Sequence, residues 1–398
     1  MIPPGLSEME RSHYETLINF VAINNKRKVP RVVVITDLAK DYDDLAAMIV
    51  LKELHRLGVV QLLGFIANLM PAEERTRFGR GALDSLGLER IPIAAGTSGF
   101  PRSARKKHNV LQYEFDCEFM ATDARVKQAC GESGEDLLRA LCNEAATDSE
   151  KKLTLVLISS LEDIYTFSQK EPDLLRKAVS NIVLQGGYTI SKDGKLEPDE
   201  AANNNRYDFD AARYFHTFMD QNEIPSTVYT KVAAFATPLT SALFAEMAET
   251  NHPLGRHLRK VQVAQDLSFY KKSCEPEPGD RFAPFMDREW FLKNKTDWFE
   301  AQKRKADQEP APPPEGDEVI PYLTKVIVYD ALAAVGASGA DALEALKVLT
   351  QTNTAPRHQI VGVAGPPEDP GVDPEQMGTL LSALLKGSLL SCPPQGPS

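Results

Sequence analysis

The feature that most constrains the fold is a repeated alternation between short apolar runs and longer helical segments. The run RVVVITD at 31–37 is rich in β-branched residues, and an apolar helical segment follows it and stops at Gly58. The same pattern returns over 59–87 and again over 152–233. Apolar runs of this kind suit buried parallel strands, and strand–helix alternation places helices on both faces of the sheet. We therefore predict an α/β fold with a mostly parallel central sheet flanked by helices.

Segments outside this alternation divide the chain. Charge and proline interrupt the later part of the pattern, and a Pro/Gly-rich composition near the end is typical of disorder. The predicted organisation is an N-terminal helical extension at 1–30 with a helix over 7–24, a main domain at 31–363 with an irregular excursion at 101–150 and a charged, proline-rich insertion at about 272–322, and a disordered tail at 364–398.

Composition limits the classes of partner. Acidic residues outnumber lysine and arginine by 56 to 45, and the net charge is −11, whereas nucleic-acid binding needs a basic face. No apolar run approaches the roughly 20 residues that a membrane-spanning helix needs. The five cysteines are dispersed without a Cys-x-x-Cys pair, which is typical of reduced thiols. These observations predict a cytoplasmic protein that binds neither nucleic acid nor a membrane.

Four aspartates follow the first predicted strand within eight residues. The segment ITDLAKDYDDLAAMIVL contains Asp37, Asp41, Asp43 and Asp44. Carboxylates this close repel one another by roughly 1 kcal/mol or more per pair, unless helix N–H groups or a cation compensate. Oxygen ligands favour Ca²⁺ or Mg²⁺ over zinc. Two interpretations stay open at this point: a helix N-terminus with solvated acids, or a metal-binding pocket at the carboxyl edge of the sheet.

The order of several motifs resembles that of the inosine/uridine-preferring nucleoside hydrolases. Their signature Asp-x-Asp-x-x-x-Asp-Asp is similar to the segment with Asp37, Asp43 and Asp44 in register. Other similar segments occur in family order, namely Ala67-Asn68, IPIAAGTSGFP (91–101), LISSLEDIYTF (157–167), IVLQGGY (182–188), NNNRYDFDAARYF (203–215) and VIVYDALAA (326–334). The resemblance covers residues 31–336 and implies a nucleoside-hydrolase-like, open Rossmann-like architecture.

The resemblance also implies a calcium ion and a ribose site. In that family the ion binds ribose hydroxyls and lowers the pKa of a bound water. Mg²⁺ is the alternative ion. The metal ligands implied for this chain are Asp37, Asp44, the backbone carbonyl of Ile158, and Asp330. The implied substrate-binding residues are Asp43, Asn68, Gln185, Asn204 and Tyr329.

The sequence departs from the family pattern at the pocket. Ala39 stands where the family has an aspartate that is both metal ligand and general base, and a methyl group can do neither. Asp41 stands at a family glycine, and Lys40 lies between the two. Three accounts remain open. Asp41 supplies the missing carboxylate, or the metal has fewer ligands and the chemistry has changed, or the site binds without turnover.

The resemblance implies a hydrolase of N-glycosidic bonds. Water would attack the ribose anomeric carbon of a ribonucleoside or related small-molecule ribosyl substrate with help from a metal, and Asp41 and Asp43 are the predicted catalytic residues. The alternative is a catalytically impaired homologue that acts as a ribose-ligand binding or regulatory protein. A third hypothesis is a structural assembly subunit, because proteins of this fold commonly associate, and a homo-oligomer is a further expectation.

Overall fold

The central sheet contains seven strands, all parallel. The structure is a computed structural model that describes residues 1–101, 110–111, 113–129, 133–304, 311–350 and 357–392. Its strands are β1 Arg31–Thr36, β2 Gln61–Ala67, β3 Ile93–Ala95, β4 Leu153–Leu157, β5 Val179–Gln185, β6 Tyr188–Ile190, β7 Leu196–Pro198, β8 Ser226–Tyr229, β9 Leu239–Thr240, β10 Lys325–Val326 and β11 His358–Val361. Seven of these strands form the central sheet, in the order β11-β8-β5-β4-β1-β2-β3. The predicted parallel α/β sheet is therefore confirmed.

Helices follow most of the strands. They are α1 Glu8–Ile23, α2 Asp43–Arg56, α3 Ala72–Ser85, α4 Asp123–Ala129, α5 Gly134–Ala146, α6 Glu162–Lys170, α7 Pro172–Ala178, α8 Asn203–Arg206, α9 Phe209–Gln221, α10 Lys231–Ala236, α11 Ser241–Glu249, α12 Pro253–Ser273, α13 Arg288–Lys295, α14 Trp298–Lys303, α15 Tyr329–Gly336, α16 Ala340–Leu346 and α17 Pro374–Leu390. Within the described residues, none of these helices has the length and apolar character needed to cross a membrane.

The core lies on both faces of the sheet, and strand β1 shows why. Successive side chains of a strand point to opposite faces. Val32 and Val34 belong to one hydrophobic cluster, whereas Val33 and Ile35 belong to another. All four side chains are buried. A continuous apolar run without alternation therefore predicted this doubly covered strand correctly.

The structure corrects two predicted segments between the strands. The excursion expected over 101–150 contains α5, whose Leu138, Cys142 and Ala145 pack in the core with the sheet. The run STVYTKVA (226–233) predicts one continuous strand, but the strand ends at Tyr229, because the Thr230 hydroxyl accepts from the Val232 N–H and caps α10. Residues 102–109, 112 and 130–132 lie outside the described residues.

The predicted tail at 364–398 is wrong for residues 374–390, which form helix α17. Leu380, Leu381, Leu384 and Leu385 are fully buried in the main core. The prediction failed because this helix is buried by contacts with α1 and α2, which lie far from it in the sequence. Residues 393–398 lie outside the described part of the chain. The predicted N-terminal helix is present as α1, and it contacts α17.

The insertion at 272–322 and the end of α12 together form a small hydrophobic cluster, separate from the main core. Tyr270, Phe291 and Trp298 are buried in that cluster. Lys295 of α13 forms a buried ion pair with Asp266 of α12 at 2.9 Å. Residues 305–310 of the insertion lie outside the described ranges. The insertion is therefore joined to α12 by both apolar and ionic contacts.

Candidate metal and ribose site

The site lies at the carboxyl edge of the sheet, where β1 ends and α2 and α15 begin. Asp37 follows β1 directly, and Asp43 and Asp44 occupy the first turn of α2. Helix α15 packs against α2, which brings Asp330 to the same place from the far end of the sequence. Helix N-termini and strand ends therefore converge on one acidic pocket, as expected for a parallel sheet.

Four carboxylates converge in this pocket. One oxygen each of Asp41, Asp43, Asp44 and Asp330 lies within 4.8 Å of the others. Asp43, Asp44 and Asp330 are buried, and Asp41 is partly buried. This group includes Asp41, which occupies the family's glycine position. In the structure Asp41 therefore turns inward, toward the other three carboxylates.

The acidic group carries more negative charge than its surroundings compensate. Burial and the neighbouring Asp330 and Asp41 carboxylates hold the pKa of Asp43 well above its ordinary value. Burial and Asp37 do the same to the pKa of Asp44, and burial and Asp41 to the pKa of Asp330. Converging buried oxygens with raised pKa values fit a hard divalent cation, which would remove this repulsion.

Two donors hold the Asp44 carboxylate in place. Its Oδ1 accepts from the Thr36 hydroxyl and, at 3.0 Å, from the Asp37 N–H. Both donors belong to the end of β1, so the strand directs Asp44 toward the pocket. Asp44 Oδ2 is not engaged by either bond. Asp44 is therefore oriented before any ligand arrives.

The inward position of Asp41 depends on the conformation of Ala39. Ala39 has a positive φ of 72°, and its methyl group packs in the hydrophobic core. The Lys40 N–H donates to the Asp37 carbonyl at 3.1 Å, which closes a tight turn. Asp41 Oδ1 is buried without a hydrogen-bond partner. Burial raises the pKa of Asp41, but the Lys40 ammonium and the bonds to Asp43 outweigh it and lower the pKa overall.

Asp37 lies beside the four-carboxylate group and outside it. Its Oδ2 has no hydrogen bond of good geometry, and the Lys40 ammonium lies 3.2 Å from that oxygen. The same ammonium lies 3.6 Å from Asp41 Oδ2 and 5.1 Å from the centre of the Tyr207 ring. Asp37 was expected as a metal ligand. In the structure its carboxylate contacts the Lys40 ammonium and is not part of the group of four converging carboxylates.

Arg75 holds the loops of the site, and sequence analysis missed it. Its side chain is fully buried on α3. It donates to the carbonyls of Asp37 at 3.2 Å and Leu38 at 2.8 Å, and also to those of Leu69 and Met70 after β2. Its Nη2 also donates to Glu114 at 3.0 Å. The available signal was an arginine facing inward on a helix that is otherwise packed against the sheet.

The predicted ribose-binding residues fall into separate hydrogen-bond networks. Asn68 is fully buried, and its Nδ2 donates to the Ser160 carbonyl at 3.0 Å and to Asp163 at 2.7 Å. The Ser159 hydroxyl donates to Asn68 Oδ1. The amide of Asn68 is therefore engaged within the protein on both sides.

Gln185 and Asn204 are brought together at the end of β5. Asn204 Nδ2 donates to Gln185 Oε1 at 2.8 Å and to the Gln185 carbonyl at 3.2 Å. Ile158 follows β4, and its N–H donates to the Ile35 carbonyl of β1 at 3.0 Å. The Ile158 position thus lies at the same edge as Asp37. These placements agree with the strand-end positions expected from the sequence.

Tyr329 opens helix α15 beside the acids. Burial and the Asp43 and Asp41 carboxylates raise its pKa, because each disfavours a phenolate. Its ring packs edge-to-face on Phe235 at 5.9 Å, and Phe235 contacts Trp290 of the insertion in the same way. The pocket wall on this side is therefore aromatic, and the insertion contributes to it.

Comparison with known proteins identifies the fold. No protein-family model and no curated protein matches the chain. Among solved structures, the type III effector protein XopQ complexed with adenosine diphosphate ribose has a TM-score of 0.76 at 26% identity, over 96% of this chain and 100% of that chain. The effector protein XOO4466 has a TM-score of 0.75 at 25% identity, over 96% and 99%.

A hydrolase shares the architecture more distantly. The purine-preferring ribonucleoside hydrolase from Gardnerella vaginalis has a TM-score of 0.53 at 17% identity, over 91% of this chain and 100% of that chain. The chain therefore has a nucleoside-hydrolase-like fold, as the resemblance implied. The two effectors match it at higher TM-scores and higher identities than this hydrolase does.

Proposed function

We propose that this protein is a metal-assisted hydrolase of N-glycosidic bonds in ribosyl compounds. The observation that carries the proposal is the convergence of Asp41, Asp43, Asp44 and Asp330 within 4.8 Å at the carboxyl edge of the sheet. In open α/β sheets ligands bind at this edge. The nucleoside-hydrolase-like fold supports a ribosyl-directed hydrolase or a ribose-ligand binder, and the acid cluster favours the first.

The residues fit a calcium ion, with magnesium as the alternative. Asp44 and Asp330 would hold it together with the Ile158 carbonyl, and Asp41 would replace the family's ligand at Ala39. Asp37 would act mainly through its N–H, which orients Asp44. Such an ion would supply positive charge that polarises a water and binds ribose hydroxyls.

The other roles in catalysis and substrate binding fall to side chains of the pocket. Asp41 would accept the proton of the attacking water, because its lowered pKa keeps it ionised at neutral pH and its Oδ1 has no hydrogen-bond partner. Asp43 would accept from a ribose hydroxyl. Gln185 and Asn204 would contact the sugar as a bonded pair. Tyr329 would face the leaving group from the start of α15.

The substrate class includes ADP-ribose. XopQ, 26% identical over 96% of this chain, forms a complex with adenosine diphosphate ribose. The hydrolase relative is described as purine-preferring. We therefore propose ADP-ribose and purine ribonucleosides as the first ligands, with inosine and uridine in the same panel.

Binding of a ribose ligand without turnover is the second candidate. Ala39 cannot supply the family's carboxylate, and the Lys40 ammonium lowers the pKa of Asp41, which weakens it as a base. Asn68 has both sides of its amide engaged by the protein. Under this alternative, the ligand would stabilise the folded protein while no product appears.

The test measures release of the free base from ADP-ribose and from the nucleoside panel, with calcium and with chelator. Asp41→Asn should lower calcium-dependent turnover by about 10²- to 10⁴-fold, the usual contribution of a general base. Asp210→Asn is the matched control, because Asp210 is an exposed aspartate on α9 that pairs with Arg213. Ligand-induced stabilisation without product would establish the second candidate. Absence of both binding and release would contradict both.

A further inference from the structure

The proposed hydrolytic reaction assigns no step to Lys40, although its side chain lies inside the site. Its ammonium is 3.2 Å from Asp37 Oδ2 and 3.6 Å from Asp41 Oδ2. Among the described residues, it is the one cationic side chain within 4.0 Å of a carboxylate of the acidic pocket. Arg75 approaches the same loop but donates to its backbone carbonyls. Lys40 is therefore the local counter-charge of the acidic pocket.

The fold holds the ammonium in this position. The tight turn in which the Lys40 N–H donates to the Asp37 carbonyl directs the side chain back over that residue's carboxylate. The ammonium lies over the face of Tyr207, whose ring packs against Phe100 at 5.6 Å. A cation over an aromatic face is attracted to it. The side chain of Lys40 is 23% exposed, so protein contacts rather than bulk water surround most of it.

Asp41 faces two cations, the Lys40 ammonium and the proposed metal ion. One of its oxygens belongs to the group of four carboxylates at the proposed metal site. Its Oδ2 also lies beside Lys40. A divalent ion held by Asp41 would share that carboxylate with the Lys40 ammonium, and like charges repel strongly in a partly buried site. Lys40 and the metal therefore oppose each other through Asp41.

We propose that Lys40 is a resident counter-cation that sets the affinity of the site for a divalent ion. It stabilises the pocket when no metal is bound and opposes the metal when one binds. This inference rests on the metal site of the proposed function. It distinguishes Lys40 from a residue that merely supports the loop, because the two roles predict opposite changes in metal affinity.

The test is Lys40→Gln, which retains a donor to Asp37 and Asp41 without the charge. Isothermal titration with calcium should show binding at least about tenfold tighter than that of the wild type, because a nearby repelling charge is gone. Melting in chelator should occur at a lower temperature than for the wild type. If Lys40 only supported the loop, its replacement would lower both the calcium affinity and the melting temperature. Lys40→Met should behave in the same way, so the test does not depend on one variant.

Two controls separate local charge from net charge. Lys40→Arg retains the charge and should bind calcium with nearly the wild-type affinity. Lys260→Met removes an exposed lysine that pairs with Asp116 and should change neither quantity. Unchanged or weaker calcium binding by Lys40→Gln, beside a wild type that binds and an Asp44→Asn variant that does not, would overturn this inference alone. Absence of calcium binding by every form, including the wild type, would overturn the metal site as well.

Discussion

At the scale of single residues, the site depends on a backbone conformation that alanine rarely adopts. The positive φ of Ala39 costs a non-glycine residue roughly 1 kcal/mol or more. Burial of its methyl group in the core offsets part of that cost. The same turn carries Asp41 into the acidic group. The conformation at Ala39 thus bears on where the Asp41 carboxylate lies, two residues later in the chain.

Arg75 gives a residue-scale prediction. Arg75→Met breaks the buried ion pair between Arg75 and Glu114, and the loss of such a pair costs up to about 3–5 kcal/mol. The carbonyls of Asp37 and Leu38 also lose their donors. We expect a lower melting temperature and weaker calcium binding, measured by thermal unfolding and by titration.

Two further variants show whether the arginine acts on the site. Arg75→Met combined with Glu114→Gln should recover part of the stability but not the calcium affinity, because the loop donors remain absent. Arg213→Met, on the surface of α9, should leave both quantities at the wild-type values. Full calcium affinity in Arg75→Met would show that the loop holds its shape without these bonds.

At the scale of elements, the C-terminal helix is part of the core. Gly387 of α17 faces Tyr14 of α1, and a Cβ there would collide with the Tyr14 hydroxyl. That hydroxyl donates to the buried Glu53 carboxylate of α2 at 2.6 Å. Three helices that are distant in sequence therefore meet at one glycine. Close approach, rather than a turn, requires the glycine here.

Two alanine substitutions on α17 test this packing. Gly387→Ala should lower the melting temperature, because Tyr14 must move away from Glu53. Gly378→Ala is on the same helix with open space around the new methyl group. It should leave stability unchanged or raise it by up to about 1 kcal/mol, since alanine favours a helix over glycine. Equal effects of the two substitutions would contradict the docking of α17.

Element packing also assembles the site. Asp330 lies in the first turn of α15, and α15 packs against α2, which carries Asp43 and Asp44. The two helices begin at the same edge of the sheet. Their N-terminal dipoles favour negative charge, which lowers the cost of bringing these carboxylates together. The helix pair therefore explains how the acids converge before a metal compensates them.

At the scale of the whole molecule, the acidic pocket links stability to pH and to calcium. Burial and neighbouring charges raise the pKa of Asp44 well above 3.8, and they raise that of Asp330 in the same way. The metal-free folded state therefore binds protons more tightly than the unfolded chain. This contribution to stability is complete below 3.8 and is lost as the pH rises through the raised values.

Asp44→Asn removes one of these carboxylates, and the direction of the resulting change in melting temperature can be predicted. In chelator at neutral pH, the variant should melt at a higher temperature than the wild type, by about 2–4 °C for each kcal/mol of relieved repulsion. The difference should shrink as the pH falls through the raised pKa of Asp44 and vanish below about 3.8, where the carboxyl group is protonated in both the folded and the unfolded state. Buried His216 and His257 have pKa values lowered to about 4 and act in the opposite direction, so the comparison uses the difference between the two proteins.

Calcium should reverse the order of the two proteins. The wild type should gain stability from the ion, whereas Asp44→Asn should gain little, because one of the ligands has lost its charge. Thermal unfolding across pH, with calcium and with chelator, measures both effects. A wild type that is more stable than the variant in chelator at neutral pH would show that the carboxylates do not repel as inferred.

The sequence by itself determined the parallel sheet and the edge at which the site lies. Runs such as RVVVITD are apolar on both faces, and only a doubly covered strand satisfies them. Their order along the chain also placed Asp37, Asn68 and Gln185 at or just after strand ends and Asp330 at a helix start. These inferences succeeded because they depend on local pattern and on the geometry of parallel strands.

Only the tertiary structure decided which side chains face one another. The direction of Asp41 follows from the φ of Ala39, which is stabilised by core packing that no local pattern reveals. The engagement of Asn68 by Ser159 and Asp163 joins residues more than 90 positions apart in the chain. Helix α17 was missed because its burial depends on α1 and α2 and not on its own composition. Contacts between distant segments decide these features, and a single sequence does not display such contacts.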